Sequence, residues 1–218
     1  MKLGALFSGG KDSTYATYLA KQAGHEISCL ITIVSENKDS FMFHTPAINL
    51  TEQQAESMAL PMIQLTTKGE KEKELEDLEK AIKLAIKKYK IRGIVTGAVG
   101  SVYQASRIQK ICNKLSIECF NPLWQKDQVE ILNELLKSKF QVIIAGVAAF
   151  PFTKEWVRRK IDEKTIEELK MLQEKYQINP AGEGGEFESL VVSCPLFSKN
   201  INLGKPEVIG EGNSWRMK

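Results

Sequence analysis

Six consecutive residues near the N-terminus, Ser8, Gly9, Gly10, Lys11, Asp12 and Ser13, carry the densest chemistry in the chain. An apolar run from Leu3 to Phe7 precedes them, and a helical pattern from Asp12 to Gln22 follows. Adjacent glycines permit a sharp turn and let main-chain N–H groups approach a ligand with no Cβ in the way. The helix start adds N–H groups without intrahelical partners and the positive end of a dipole, a setting for phosphate. Lys11 contributes a mobile cation, and Ser8 and Ser13 contribute hydroxyls. Asp12 is out of place beside a bare polyanion. It makes chemical sense if it ligates a divalent cation, such as Mg²⁺, that the phosphates share. An ordinary P-loop would need Gly at position 5 and Ser or Thr at position 12, where this chain has Ala5 and Asp12.

Two further stretches concentrate functional groups. In Thr96–Gln104, Gly97 lies in a run of small residues, and Tyr103, Gln104 and Arg107 share a face of the helix that follows. An aromatic ring, an amide and a guanidinium there suit a nucleotide or a carboxylate. The plainer alternative is a capping box of Ser101 and Gln104 with Arg107 in a surface ion pair. The other stretch is Asn179–Glu188, where Gly182, Gly184 and Gly185 interleave with Glu183, Glu186 and Glu188. Such a loop could bind Mg²⁺, supply a general base or complement a cationic substrate, and its plain alternative is a solvated turn.

The elements that must position these residues alternate through the first half. Strand patterns at Leu3–Phe7, Glu26–Val34, Pro61–Thr66 and Ile94–Val99 are separated by helical ones, as in a parallel sheet covered on both faces. Thr51 and Gln54 fit a capping box that opens a short helix. Leu75, Leu78, Ile82, Ala85, Ile86 and Tyr89 form the apolar stripe of a long helix from Glu70. Ala105, Ile108, Cys112 and Leu115 form the stripe of the next. The alternation changes near Pro122, and a helix from Lys126 to Lys137, a strand Val142–Ala149 and a helix ending at Tyr176 follow, the last with Thr165–Glu168 as its cap. A strand Ser189–Ser193 and one or two edge strands in the tail complete the pattern. In an open parallel sheet ligands sit beyond the carboxyl ends of the strands, which points to the phosphate loop, the segment containing His44 and the segment containing Gly97.

The chain has 218 residues, a net charge of +3 and 26% charged residues, which suits a globular protein and gives no strong nucleic-acid signal. No apolar run approaches the length of a membrane helix and no signal-peptide pattern is present, so the expected location is cytoplasmic. Four scattered cysteines without a CxxC pair read as reduced, buried thiols.

The SGGKDS run resembles the pyrophosphate loop of the N-type ATP pyrophosphatases. Together with MFHTPAINL, GAVGSVYQASRIQKIC, NPLWQKDQ and NPAGEGGEFESLVVSCPLF, it resembles the diphthine–ammonia ligase branch over nearly the whole chain. The pattern departs at Val102, where the family usually has Asp, and at Val157-Arg158, where it often has Leu-Gly. The resemblance implies a HUP-type, Rossmann-like α/β domain over residues 1–122 and a smaller α+β acceptor-binding domain over 123–218. It implies an AMP-forming ligase that uses ATP and Mg²⁺ to amidate the diphthine of elongation factor 2 with ammonia. On that resemblance Ser8 to Ser13, His44 and Gly97 bind ATP and pyrophosphate. Tyr103, Gln104, Arg107, Glu183, Gly184, Gly185, Glu186 and Glu188 bind the acceptor, with Phe187, Trp124 or Tyr103 offering aromatic faces to its quaternary ammonium. Lys11, Asp12, Glu183 and Glu186 are catalytic, and Asp12 holds the metal. Rival readings are a non-catalytic adenine-nucleotide binder and a pyrophosphatase acting on another carboxylate or on tRNA. A homo-oligomer is left open.

Overall fold

The computed structural model describes residues 1–36, 48–69 and 73–218. The chain divides into two compact units, Met1–Trp124 and Gln125–Lys218.

The first unit is built on five strands, β1 (Lys2–Leu6), β2 (Glu26–Ser35), β3 (Met62–Thr67), β4 (Gly93–Val95) and β5 (Glu118–Phe120). Their order is β3-β2-β1-β4-β5, and every pairing is parallel. Four helices connect them: α1 (Lys11–Gln22), α2 (Ile48–Ser57), α3 (Lys73–Tyr89) and α4 (Val102–Lys114). Strands covered on both faces read as continuous apolar runs, and Leu3, Ala5, Leu30, Ile31, Ile94 and Val95 are all buried. Against the sheet α3 buries Leu78, Ala81, Ile82 and Ala85, while Leu75, Ile86 and Tyr89 are only partly covered. The core stripe of α4 is Ile108, Ile111 and Cys112, so Ile111 takes the place expected of Ala105. After β1 the chain steps outward through β2 and β3, then returns to the other side of β1 for β4 and β5. The reversal puts the crevice of the sheet at the carboxyl ends of β1 and β4.

The second unit has a four-stranded antiparallel sheet in the order β7-β6-β9-β8. These strands are β6 (Gln141–Val147), β7 (Phe187–Ser193), β8 (Val208–Glu211) and β9 (Ser214–Met217), accompanied by α5 (Gln128–Lys137) and α6 (Glu163–Tyr176). Of the two tail strands, β8 is an edge but β9 is interior, paired with both β6 and β8. The cap of α6 is Asp162, whose carboxylate accepts from the Thr165 N–H at 2.8 Å, so Thr165 lies inside the helix and does not open it. Phe187 and Glu188 belong to β7, which begins two residues before the expected strand. No helix among the described residues is long and apolar enough to cross a membrane.

Candidate active site

The turn from β1 into α1 shows why its residue types matter. Gly9 has φ +80°, a conformation that suits glycine. Gly10 is the N-cap of α1 and brings no side-chain acceptor, so the first-turn N–H groups are not capped from within. The carbonyl of Gly10 is held by three donors: the Thr14 N–H at 3.1 Å, the Thr14 hydroxyl at 2.8 Å and the Ser13 hydroxyl at 3.2 Å. Ser13 Oγ also accepts from the Ser8 N–H at 3.3 Å and lies 3.1 Å from Ser8 Oγ. The two serines thus brace the turn, where sequence reasoning expected hydroxyls aimed at phosphate.

Lys11 is not a mobile surface cation. It is 3% exposed, and its ammonium donates to Asp12 Oδ2 at 2.8 Å. The other carboxylate oxygen, Asp12 Oδ1, is buried with no hydrogen-bond partner. An orphaned anionic oxygen beside a phosphate-type turn is costly unless a ligand completes it. No three His, Cys, Asp or Glu side chains among the described residues gather into a metal-holding group. A lone carboxylate is nonetheless a fitting donor for Mg²⁺, which characteristically takes one or two carboxylates and fills the rest of its octahedron with phosphate and water.

Two other elements close on this turn. A Cβ at Gly97 would come within 2.6 Å of the Asp12 carbonyl carbon and the Ser13 nitrogen, so only glycine lets the chain after β4 lie against the first turn of α1. From α2, the buried Gln54 donates through Nε2 to the Gly9 carbonyl at 3.0 Å. The capping-box expectation for Thr51 and Gln54 is overturned: α2 starts at Ile48, and both side chains lie buried within it. The useful signal was a buried-type helix face carrying amides and hydroxyls, which the capping pattern masked. His44 lies outside the described residues.

At the start of α4 one half of the expected capping box is present. Ser101 caps the helix by accepting from the Gln104 N–H at 3.3 Å. Arg107 stacks over the Tyr103 ring with its guanidinium 3.5 Å from the centroid. A stacked guanidinium keeps its N–H edges in plane for a carboxylate or phosphate.

In the second unit, the Gly-Glu loop folds around one of its own carboxylates. Glu186 Oε1 accepts from the Asn179 N–H at 2.7 Å and the Asn179 amide at 2.9 Å, and Oε2 accepts from the Gly184 N–H at 2.8 Å. Glu186 is 8% exposed. With three donors on roughly four lone-pair sites, its carboxylate is occupied by the loop. Holding the loop is a role that the sequence reading, which expected a base or an acceptor contact, did not assign to Glu186. Gln128, at the head of α5, bridges the same loop: it donates to Asn179 Oδ1 and accepts from the Ala181 N–H, each at 3.0 Å. Sequence reasoning passed over Gln128, although it lies in the NPLWQKDQ segment. Phe187 is buried and packs edge-to-face on Phe152 with centroids 5.7 Å apart, so its ring belongs to the core and is closed to a cation. Glu183 and Glu188 are half-buried.

Three of the four thiols are raised: burial pushes Cys29 up to about 12 and Cys194 up to about 11, and a hydrogen bond with Cys119 together with burial raises Cys112, while the same hydrogen bond lowers the half-buried Cys119.

Comparison with known proteins matches residues 1–119 to the diphthamide synthase N-terminal domain and residues 127–216 to the diphthamide synthase C-terminal domain. The diphthine–ammonia ligases of Bos taurus and Homo sapiens are each 34% identical to this chain over 227 residues, covering 96% of it and 85% of the relative. Among solved structures, one described as a predicted subunit of tRNA methyltransferase from Methanocaldococcus jannaschii is 20% identical, covering 89% of this chain and 98% of that one, with a TM-score of 0.45. A likeness at that level says nothing about substrate. The matches to both domains and the two relatives agree: this chain belongs to the diphthamide synthase family of diphthine–ammonia ligases.

Proposed function

We propose that this protein is an ATP-dependent diphthine–ammonia ligase, which activates the diphthine carboxylate of elongation factor 2 as an acyl-adenylate and converts it to the amide of diphthamide. The observation that carries the chemistry is the glycine-capped turn with the buried Lys11 and the unsatisfied Asp12 oxygen. A carboxylate is a poor electrophile, so one of its oxygens attacks the α-phosphorus of ATP, and the bond to the bridging oxygen of pyrophosphate breaks. Ammonia then adds to the acyl carbon, AMP leaves with that oxygen, and the nitrogen loses a proton.

Charge builds on pyrophosphate as it departs. Lys11 and the uncapped N–H groups at the start of α1 are aimed to stabilise it, and fixed donors outperform water because they need not reorganise. Mg²⁺, held by Asp12, would neutralise polyphosphate charge. In the second unit Glu186 shapes the loop, leaving Glu183 and Glu188 to face the acceptor and the incoming nitrogen. Ammonia, not glutamine, is the nitrogen donor, in keeping with four scattered cysteines that form no glutaminase motif. The acceptor is a translation factor, so the cytoplasm is the place of work.

The test is incubation of the full chain with ATP, Mg²⁺, ammonium and diphthine-bearing elongation factor 2, with mass read on the acceptor peptide. The expected result is exchange of a carboxylate oxygen for an amide nitrogen, in step with AMP and pyrophosphate. ADP and orthophosphate in step with product would overturn the cleavage site. Turnover on glutamine without ammonium would overturn the nitrogen source. Bound ATP with no change in any acceptor would mark a nucleotide binder.

A further inference from the structure

We infer that Gln54 is a positioning residue for the phosphate loop, one that fixes the direction in which the Gly10 N–H points. The inference rests on the reading of that loop as a pyrophosphate site. A trans peptide unit carries its C=O and its N–H on opposite sides. The Gly9 carbonyl and the Gly10 N–H belong to one such unit, and the Gly9 oxygen accepts from Gln54 Nε2 at 3.0 Å. With the carbonyl held toward α2, the Gly10 N–H is turned to the opposite side. Were the unit to flip, a carbonyl oxygen would take the place of the N–H and repel an anion there.

The next unit along needs no such brace. Its carbonyl, that of Gly10, is fixed by Thr14 and Ser13 of α1 itself. The Gly9–Gly10 unit has glycine on both sides, the arrangement with least steric resistance to a flip. The Gly9 carbonyl is braced from a separate helix, α2. Gln54 is fully buried at 0% exposure, and its hydrogen bond to Gly9 is made by Nε2, while no donor reaches its buried Oε1. The acceptor is a carbonyl oxygen, so the atom facing it must be the amide nitrogen. The fit is close, since a Cβ at Gly9 would lie 2.3 Å from Gln54 Oε1 and 3.0 Å from Thr51 Cγ2. Gln54 therefore acts on pyrophosphate through the loop, without touching it.

The experiment uses the full chain and two variants, Gln54→Met, which keeps length without a donor, and Gln54→Glu, which sets an acceptor against an acceptor. Each is titrated by calorimetry with inorganic pyrophosphate and, separately, with adenosine, and the Gly10 amide resonance is followed during the pyrophosphate titration. Pyrophosphate affinity should fall roughly tenfold in Gln54→Met, the scale of one hydrogen bond, and further in Gln54→Glu. Adenosine affinity should stay within about twofold, because the change is confined to one peptide unit. The Gly10 amide should shift on titration of the parent and not of the variants. Equal pyrophosphate affinity in parent and Gln54→Met overturns the role of Gln54. So does a parallel loss of pyrophosphate and adenosine affinity, the mark of a packing defect. A parent that binds no pyrophosphate overturns the reading of the loop itself. Should Gln54→Glu fail to fold, Gln54→Met decides alone, as it adds no charge.

Discussion

The two glycine-rich loops of this protein have similar composition and opposite polarity. In the β1–α1 turn the carbonyls of Gly9 and Gly10 are tied inward, to Gln54 and to Ser13 and Thr14, and a carboxylate oxygen of Asp12 is left unsatisfied. In the loop before β7 the order is reversed. The N–H groups of Asn179 and Gly184 are spent on Glu186, and the loop satisfies its own buried charge. The first turn leaves a charged oxygen open, while the second turns its donors onto its own carboxylate. A buried carboxylate oxygen without a donor calls for an explanation, and one ringed by donors does not. Sequence cannot separate the two cases, since Gly-Lys-Asp and Gly-Gly-Glu both read as glycine beside charge.

The largest expected effect tests the unsatisfied side of this contrast. Asp12→Asn keeps size and removes charge, so it should lower the rate of AMP formation by about 10²–10³-fold. Some stability should be lost with it, because the buried Lys11 ammonium loses the charge of Asp12 Oδ2 at 2.8 Å, so rates are compared on protein that thermal melts show to be folded. Pyrophosphate release measured against Mg²⁺ concentration is the check. A variant within a few-fold of the parent at every Mg²⁺ level would mean that the orphaned oxygen is not a ligand.

Alanine at matched glycines gives the next contrast. Gly9 and Gly185 have nearly the same backbone, φ +80° and +83°. A Cβ at Gly185 meets nothing within 4 Å, whereas one at Gly9 runs into Gln54 at 2.3 Å. Gly185→Ala should therefore cost about 1–2 kcal/mol, the left-handed backbone alone. Gly9→Ala should add about 1–3 kcal/mol of overpacking and weaken pyrophosphate binding as well. Denaturant unfolding of both, with calorimetry of pyrophosphate, separates strain from function. Equal stability losses would mean that α2 yields easily and that its grip on the loop is slack.

Glu186→Gln probes the self-satisfied loop. The new amide nitrogen must face a backbone N–H or the Asn179 amide, donor against donor, so a loss of about 2–3 kcal/mol in stability is expected. The affinity for ATP should not change. Glu183→Gln, on the same loop, should cost less stability than Glu186→Gln and lower ligation of the acceptor. The reverse pattern, a stable Glu186→Gln and an unstable Glu183→Gln, would exchange the roles assigned to the two carboxylates.

The parallel sheet was legible because burial on both faces leaves long apolar runs, and the glycine-rich turn was legible from its own six residues at the end of the first of them. What stayed hidden was long-range. Gln54 and Gly9 lie 45 residues apart, and the Thr51–Gln54 spacing imitated a cap that the helix does not use. Gln128 and Asn179 are 51 apart, and no local pattern joins them. Local spacing reports what a residue does for its own helix. It is silent on a buried amide that crosses to another element, and both of these amides do so. The donors around Glu186 were hidden for a related reason: composition counts its charge without the N–H groups folded around it.

The smallest expected effect concerns α6, which delivers the chain to the Gly-Glu loop through Gln177 in the left-handed conformation. Its N-cap, Asp162, has its pKa lowered, first by the hydrogen bond from the Thr165 N–H and to a lesser extent by Arg159 nearby. A carboxylate whose folded pKa lies below its unfolded value, about 3.9, stabilises fully above that value and loses the contribution as pH falls through the folded pKa. Asp162→Ala should therefore cost about 1 kcal/mol at neutral pH, the usual worth of a cap. The difference from the parent should narrow once the pH drops below about 4 and close under stronger acid. Thermal melts of both proteins between neutral pH and pH 3 read that convergence directly. A gap that stays constant across the range would show the cap to work through shape and not through charge. A gap accompanied by loss of acceptor ligation at neutral pH would show that α6 sets the Gly-Glu loop as well as ending beside it. That outcome would tie the loop's self-sufficiency to the helix that feeds it.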